Sequence, residues 1–174
     1  MKKWIVIFMV VGSMSFLHHE VDALAQTKQI NTSLVKALKK GKLPSIPVKV
    51  GNKASTVQKK VKGQFVHPGD FVLYEATNGD TYMFTDVLFG EKVAKVATIS
   101  RMYDYKITKR SIEKHFGKPY KGYNERNQKV NTYIYKTGTY YTHIRSYKDG
   151  STNVMVGTKK SVSAMKGVKK LSKQ

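Results

Sequence analysis

Asp70-Phe71-Val72-Leu73-Tyr74-Glu75-Ala76-Thr77-Asn78-Gly79-Asp80-Thr81-Tyr82-Met83-Phe84-Thr85-Asp86 reads as a β-hairpin. Asn-Gly between two runs of alternating hydrophobics is the strongest short-range hairpin signal, since both residues tolerate the positive φ that tight turns need. The expected strands are 70–77 and 80–86, with Asn78-Gly79 as a two-residue turn. That register sets Glu75 against Tyr82 and, at the open end, Asp86 against Phe71. Just upstream, residues 55–61 read as a short capped helix closed near Gly63; just downstream, 93–101 reads as a further strand.

The same order recurs after an offset of about 55 residues. Residues 108–116 read as a short helix, with Ser111, Ile112 and Phe116 answering Thr56, Val57 and Val61, and Gly117-Lys118-Pro119 ends it. Strands follow at 130–136, 139–145 and 152–156, with Thr137-Gly138 as the second turn. The expected fold class is α+β: a tandem repeat of short helix plus antiparallel β-strands, the sheet carrying its helices on one face. The units span about 48–101 and 105–157, within a tandem helix-sheet domain at 48–157. In front of it, 26–47 holds a helix at 30–40 stopped by Gly41, then the connector Leu43-Pro44-Ser45-Ile46-Pro47. Each proline there fixes its own φ and disfavours helix in the residue before it.

Composition bounds the class. The chain has 174 residues, about one domain, with no cysteine, so disulfide frameworks, zinc-thiolate sites and thiol nucleophiles are excluded. With 40% hydrophobic and 11% aromatic residues it is too rich in core-formers for disorder. Residues 1–25 read as a secretory signal. Lys2 and Lys3 lead an apolar run from Trp4 to Leu17, and Ala23-Leu24-Ala25 supplies a small-x-small cleavage site. Retention as an uncleaved anchor is the alternative. Cleavage removes two basic and two acidic residues, leaving 30 basic against 9 acidic and an unchanged net charge of +21. No later segment is apolar enough to cross a membrane. The expected localisation is secreted: extracellular or in the cell wall.

Leu34-Val35-Lys36-Ala37-Leu38-Lys39-Lys40-Gly41-Lys42-Leu43-Pro44 resembles the opening of the secreted YjgB-like proteins of Bacillus and relatives, a domain of unknown function. So does 107–119, Ile-Thr-Lys-Arg-Ser-Ile-Glu-Lys-His-Phe-Gly-Lys-Pro, followed by Tyr133-Ile134-Tyr135-Lys136-Thr137-Gly138. The first unit departs from the pattern, with Lys62-Gly63-Gln64 in place of Gly-Lys-Pro. The arrangement of helix, Gly-x-Pro and strand also looks like the repeats of the β-lactamase-inhibitor protein and of the small outer-membrane assembly lipoprotein. The resemblance implies a fold and a binding role, and names no ligand.

The residues offer little chemistry. His67, His115 and His143 lack metal-ligand spacing. His67-Pro68-Gly69-Asp70 reads as a turn entering a strand rather than a base and its orienter. Asp70, Glu75, Asp80 and Asp86 on the hairpin are the only basis for a paired-carboxylate hydrolase. The chain is expected not to be an enzyme and to need no cofactor.

Two surfaces stand out. All eleven tyrosines lie between Tyr74 and Tyr147. With Thr137-Gly138 as the turn, Tyr135 opposes Tyr140 and Tyr133 opposes Thr142, on a face expected to pack on the helices. The opposite face carries Tyr141, His143 and Arg145, with Tyr120, Tyr123 and Arg126 in a nearby Lys/Arg-rich loop. Tyrosine gives rigid amphipathic contact area at low entropy cost. The second surface is the tail 158–174, with six lysines, among them Lys159, Lys160, Lys166, Lys169 and Lys170, and no acid. Val162, Met165, Val168 and Leu171 give it weak amphipathic spacing, interrupted by Gly167.

A charge of +21 exceeds what solubility requires in a small domain. Outside a Gram-positive membrane the available polyanions are teichoic acids, peptidoglycan carboxylates and anionic lipid headgroups. The expected function is therefore a secreted, envelope-associated, non-enzymatic binding protein retained by an anionic cell-wall polymer. The alternative is a proteinaceous inhibitor or immunity factor whose partner is a secreted or wall enzyme. Nucleic acid ranks below both, because the secretion signal and the lack of a recognition motif argue against it.

Overall fold

The computed structural model describes residues 27–66, 72–85, 94–125 and 130–163, with backbone only for 27, 121, 123–125 and 163. The signal segment therefore lies outside the described residues, as do His67 to Asp70, Asp86, Arg126 and the tail beyond 163.

After a two-residue strand β1 (Thr27–Lys28) come the helices α1 (Thr32–Lys39) and α2 (Ala54–Lys60). Four strands follow: β2 (Gly63–Val66), β3 (Leu73–Ala76), β4 (Thr81–Thr85) and β5 (Lys95–Tyr103). The short β6 (Lys106–Ile107) pairs in parallel with β1 and leads into α3 (Lys109–Phe116). Four more strands complete the sheet: β7 (Lys121–Glu125), β8 (Val130–Thr137), β9 (Tyr140–Ser146) and β10 (Thr152–Gly157). A short α4 (Lys159–Ser163) comes last.

The large sheet has the order β2-β3-β4-β5-β10-β9-β8-β7, antiparallel throughout. Each half is a helix followed by a four-strand meander, and the last strands of the two halves meet at β5–β10. The α+β class is as the sequence indicates. Each half carries one strand more than the pattern shows: β2, where only a helix end is legible, and β7, where a loop is expected.

Local chemistry explains the helices. Asn31 caps α1, its Oδ1 accepting from the Leu34 N–H at 2.7 Å, and Leu34, Val35 and Leu38 form its buried face. Thr108 caps α3 in the same way, accepting from the Ser111 N–H at 3.2 Å. One sheet face packs against α1, α2, α3 and the connector. Tyr74, Tyr82, Phe84, Ile99, Tyr135, Ile144, Val154 and Val156 meet Leu38, Leu43, Val48, Val57 and Ile112 in one core. Burying each such side chain stabilises the fold by about 1.5–3 kcal/mol. The helices are not confined to that face. Val162 of α4 is buried on the other side against Ile134, with Tyr141 packed alongside.

Both hairpin registers differ from expectation. In the first, Tyr74 pairs with Tyr82 and Glu75 with Thr81, and the Ala76 N–H donates to the Asp80 carbonyl at 2.8 Å. The loop is therefore Thr77-Asn78-Gly79, three residues with Gly79 at φ +81°, and the register moves by one. In the second, Thr137 pairs with Tyr140, Tyr135 with Thr142 and Tyr133 with Ile144. That turn is Gly138-Thr139, with Gly138 at φ +77° in the first central position. A two-residue shift preserves faces. Tyr133, Tyr135 and Tyr140 still line the core side, and Ile134, Lys136, Tyr141 and His143 the other.

Candidate functional site

Alternation along β9 sends Tyr141, His143 and Arg145 to the side opposite the main core. Their register neighbours on β8 are Lys136, Ile134 and Thr132. The chain entering β7 is held to β8 by a Tyr120 N–H to Ile134 carbonyl bond of 2.7 Å. The Tyr120 ring then meets that of Tyr141 edge to face, with centroids 5.4 Å apart and planes at 75°. Turning out of β10, α4 brings the Lys159 ammonium to 5.2 Å from the Tyr120 ring centroid. Contact with the Tyr120 hydroxyl raises the Lys159 pKa, so this ammonium keeps its proton. Tyr120, Tyr141 and Lys159, from three separate segments, thus form one corner, and Lys136 lies exposed beside Tyr141. Lys136 was not among the expected site residues; its place one residue from Tyr135, on Tyr141's side of the sheet, was the signal.

The other expected residues fall differently. His143 is fully buried and lies beneath the surface rather than on it. Its strand neighbours are Ile134 and Met155, and neither ring nitrogen has a hydrogen-bond partner. Burial, with Arg145 nearby, lowers its pKa to about 4, so the imidazole is neutral at pH 7. Arg145 is half-buried. Tyr123 stands opposite Thr132 on an edge strand rather than in a loop. Lys160 is exposed on α4. Arg126, Lys166, Lys169 and Lys170 lie outside the described residues.

The one-residue register shift also divides the hairpin carboxylates. Glu75 is exposed on the α4 side, whereas Asp80 is fully buried on the core side. Asp80 holds Arg101 through two bonds, Nε–Oδ1 at 2.6 Å and Nη2–Oδ2 at 2.8 Å, and accepts from Asn78 Nδ2 at 2.9 Å. This pair raises the Arg101 pKa and fixes the first hairpin to β5. The sequence places Asp80 among the hairpin carboxylates; in the structure it also braces the turn, its N–H donating to Asn78 Oδ1 at 3.1 Å. Glu75 and Asp80 therefore do not share a cleft as paired acids need. Among the described residues no group of three His, Asp or Glu side chains is placed to hold a metal ion. No described helix is long and apolar enough to cross a membrane.

No protein-family profile and no curated protein matches the sequence. Among solved structures, the chain is similar to a DUF4309 family protein, YjgB of Bacillus subtilis subsp. subtilis str. 168. Identity is 18%, the match covers 73% of this chain and 94% of that one, and the TM-score is 0.47. The sequence segments that resemble YjgB-like proteins are 34–44, 107–119 and 133–138.

Proposed function

We propose that this chain is a secreted, non-enzymatic binding protein held in the cell envelope by an anionic wall polymer, teichoic acid or peptidoglycan. The observation that carries the reading is its uncompensated charge. The sequence has a net charge of +21, and the ion pairs between described residues are Asp80–Arg101 and Lys109–Glu113. The lysines on α1, α2, α3 and α4 are exposed and, apart from Lys109, pair with no described carboxylate. A polyanion threads such a surface through many weak, exchangeable contacts, and salt competes with each.

We infer also that the two halves are tandem copies. The support is the repeated order of one helix and four strands, α2 with β2–β5 and α3 with β7–β10, closed symmetrically at β5–β10.

Fractionating a producing culture and washing its walls through a salt gradient tests retention. Release across modest salt is expected, with release at still lower salt when 158–174 is deleted. Protein free in the medium at low salt would overturn the reading and favour an inhibitor of a secreted enzyme, to be sought by pull-down.

A further inference from the structure

We propose that Tyr120, Tyr141, Lys136 and Lys159 form a subsite for a sugar ring that carries, or directly adjoins, an oxyanion. The proposal deepens the polymer-binding reading and rests on it.

Among the described residues, the large hydrophobic side chains most open to solvent are Met102, 52% exposed, and Tyr120, 45% exposed. Only Tyr120 stands in an organised setting. Its ring is fixed at 75° to that of Tyr141, which is itself anchored on β9 and packed against the Ile134–Val162 contact. A tyrosine held this way presents a rigid surface that is apolar on its face and polar at its rim, as the C–H face and hydroxyl edge of a pyranose require.

The adjacent cations give the corner its second specificity. Lys159 lies 5.2 Å from the Tyr120 centroid, and Lys136 is the register partner of Tyr141. Two other lysines lie over tyrosines, Lys28 over Tyr105 and Lys109 over Tyr133, yet both of those rings are half-buried against the core. Lys109 is further engaged by Glu113 at 3.6 Å. No described carboxylate stands within ion-pair distance of Lys159, so an exposed aromatic ring and an uncompensated ammonium coincide here. A bare polyphosphate would use the ammonium alone and a neutral glycan the ring alone. A glycosylated polyol phosphate, or a glycan bearing a carboxylate, would use both.

The test is calorimetric titration of the purified chain at low salt with poly(glycerol phosphate), its glucosylated form, and a soluble peptidoglycan glycan fragment. The glucosylated polymer should bind about tenfold tighter than the bare one, and Tyr120→Ala should bring that ratio close to one. Tyr120→Phe should keep most of the ratio, Lys159→Met should reduce it, and Lys49→Met, away from the corner, should leave it intact. Preference for the peptidoglycan fragment that Tyr120→Ala abolishes would support the same subsite with a carboxylate as the anion. Equal affinity for bare and glucosylated polymer with no preference for the fragment would overturn the proposal, as would a preference that survives Tyr120→Ala. Failure of the polymer-binding reading shows separately, as absence of binding to bare polymer, glucosylated polymer and peptidoglycan fragment alike.

Discussion

His143 is a buried imidazole without a hydrogen-bond partner, so it stays neutral and constrains the pH range in which the fold is stable. Its folded pKa of about 4 lies below the ordinary 6.5, so the unfolded chain binds a proton that the folded chain refuses. Stability is full above about pH 6.5, falls as pH drops, and levels off below about pH 4, a total loss of about 3 kcal/mol. Urea unfolding at pH 7, 5.5 and 4 should show that loss, and His143→Leu should flatten the curve relative to the parent. A parallel curve for the variant would contradict it. The second residue-scale prediction concerns Asp80. Asp80→Ala leaves the partly buried Arg101 without its partner and should lower unfolding free energy by about 3 kcal/mol, read by denaturant titration. That Asn78 and Gly79 lie in a turn was legible because the signal is local. The Arg101 contact was not, because it depends on a register that sequence leaves one residue uncertain.

Elements were legible where their apolar pattern is strong. β5, β8, β9 and β10 came within a few residues of their bounds because they have buried residues on the core side. β2 and β7 did not. Gly63-Gln64-Phe65-Val66 and Lys121-Gly122-Tyr123-Asn124-Glu125 lack sustained alternation, since edge strands have only one hydrogen-bonded neighbour and carry glycine and charge. The turns account for the register errors: Gly79 closes a three-residue loop and Gly138 begins its turn instead of ending it. α4 depends on another glycine. A Cβ at Gly157 would come within 2.8 Å of the Ala97 carbonyl oxygen and 2.9 Å of Ser161 Oγ. Gly157→Ala should therefore displace α4 while leaving the distant β2–β4 meander paired. Hydrogen exchange should show protection lost around α4 and Tyr141, whereas uniform loss across the sheet would contradict local displacement.

At the scale of the whole molecule, charge was legible from composition alone, because lysines are placed on the surface by their own hydration. The corner was legible only in part. Tyr120, Tyr141 and Lys159 were each singled out, yet their meeting depends on β7 pairing with β8 and on α4 folding back across the sheet. His143, grouped with them by alternation, is instead sealed beneath α4's side of the sheet. Polyanion binding by the uncompensated surface cations is the proposal on which the others rest. The most direct measurement is the affinity of the purified chain for poly(glycerol phosphate) over a series of salt concentrations. A steep, linear fall of log affinity with log salt is expected, shallower once 158–174 is removed. Affinity that does not respond to salt, or no binding at low salt, would contradict it.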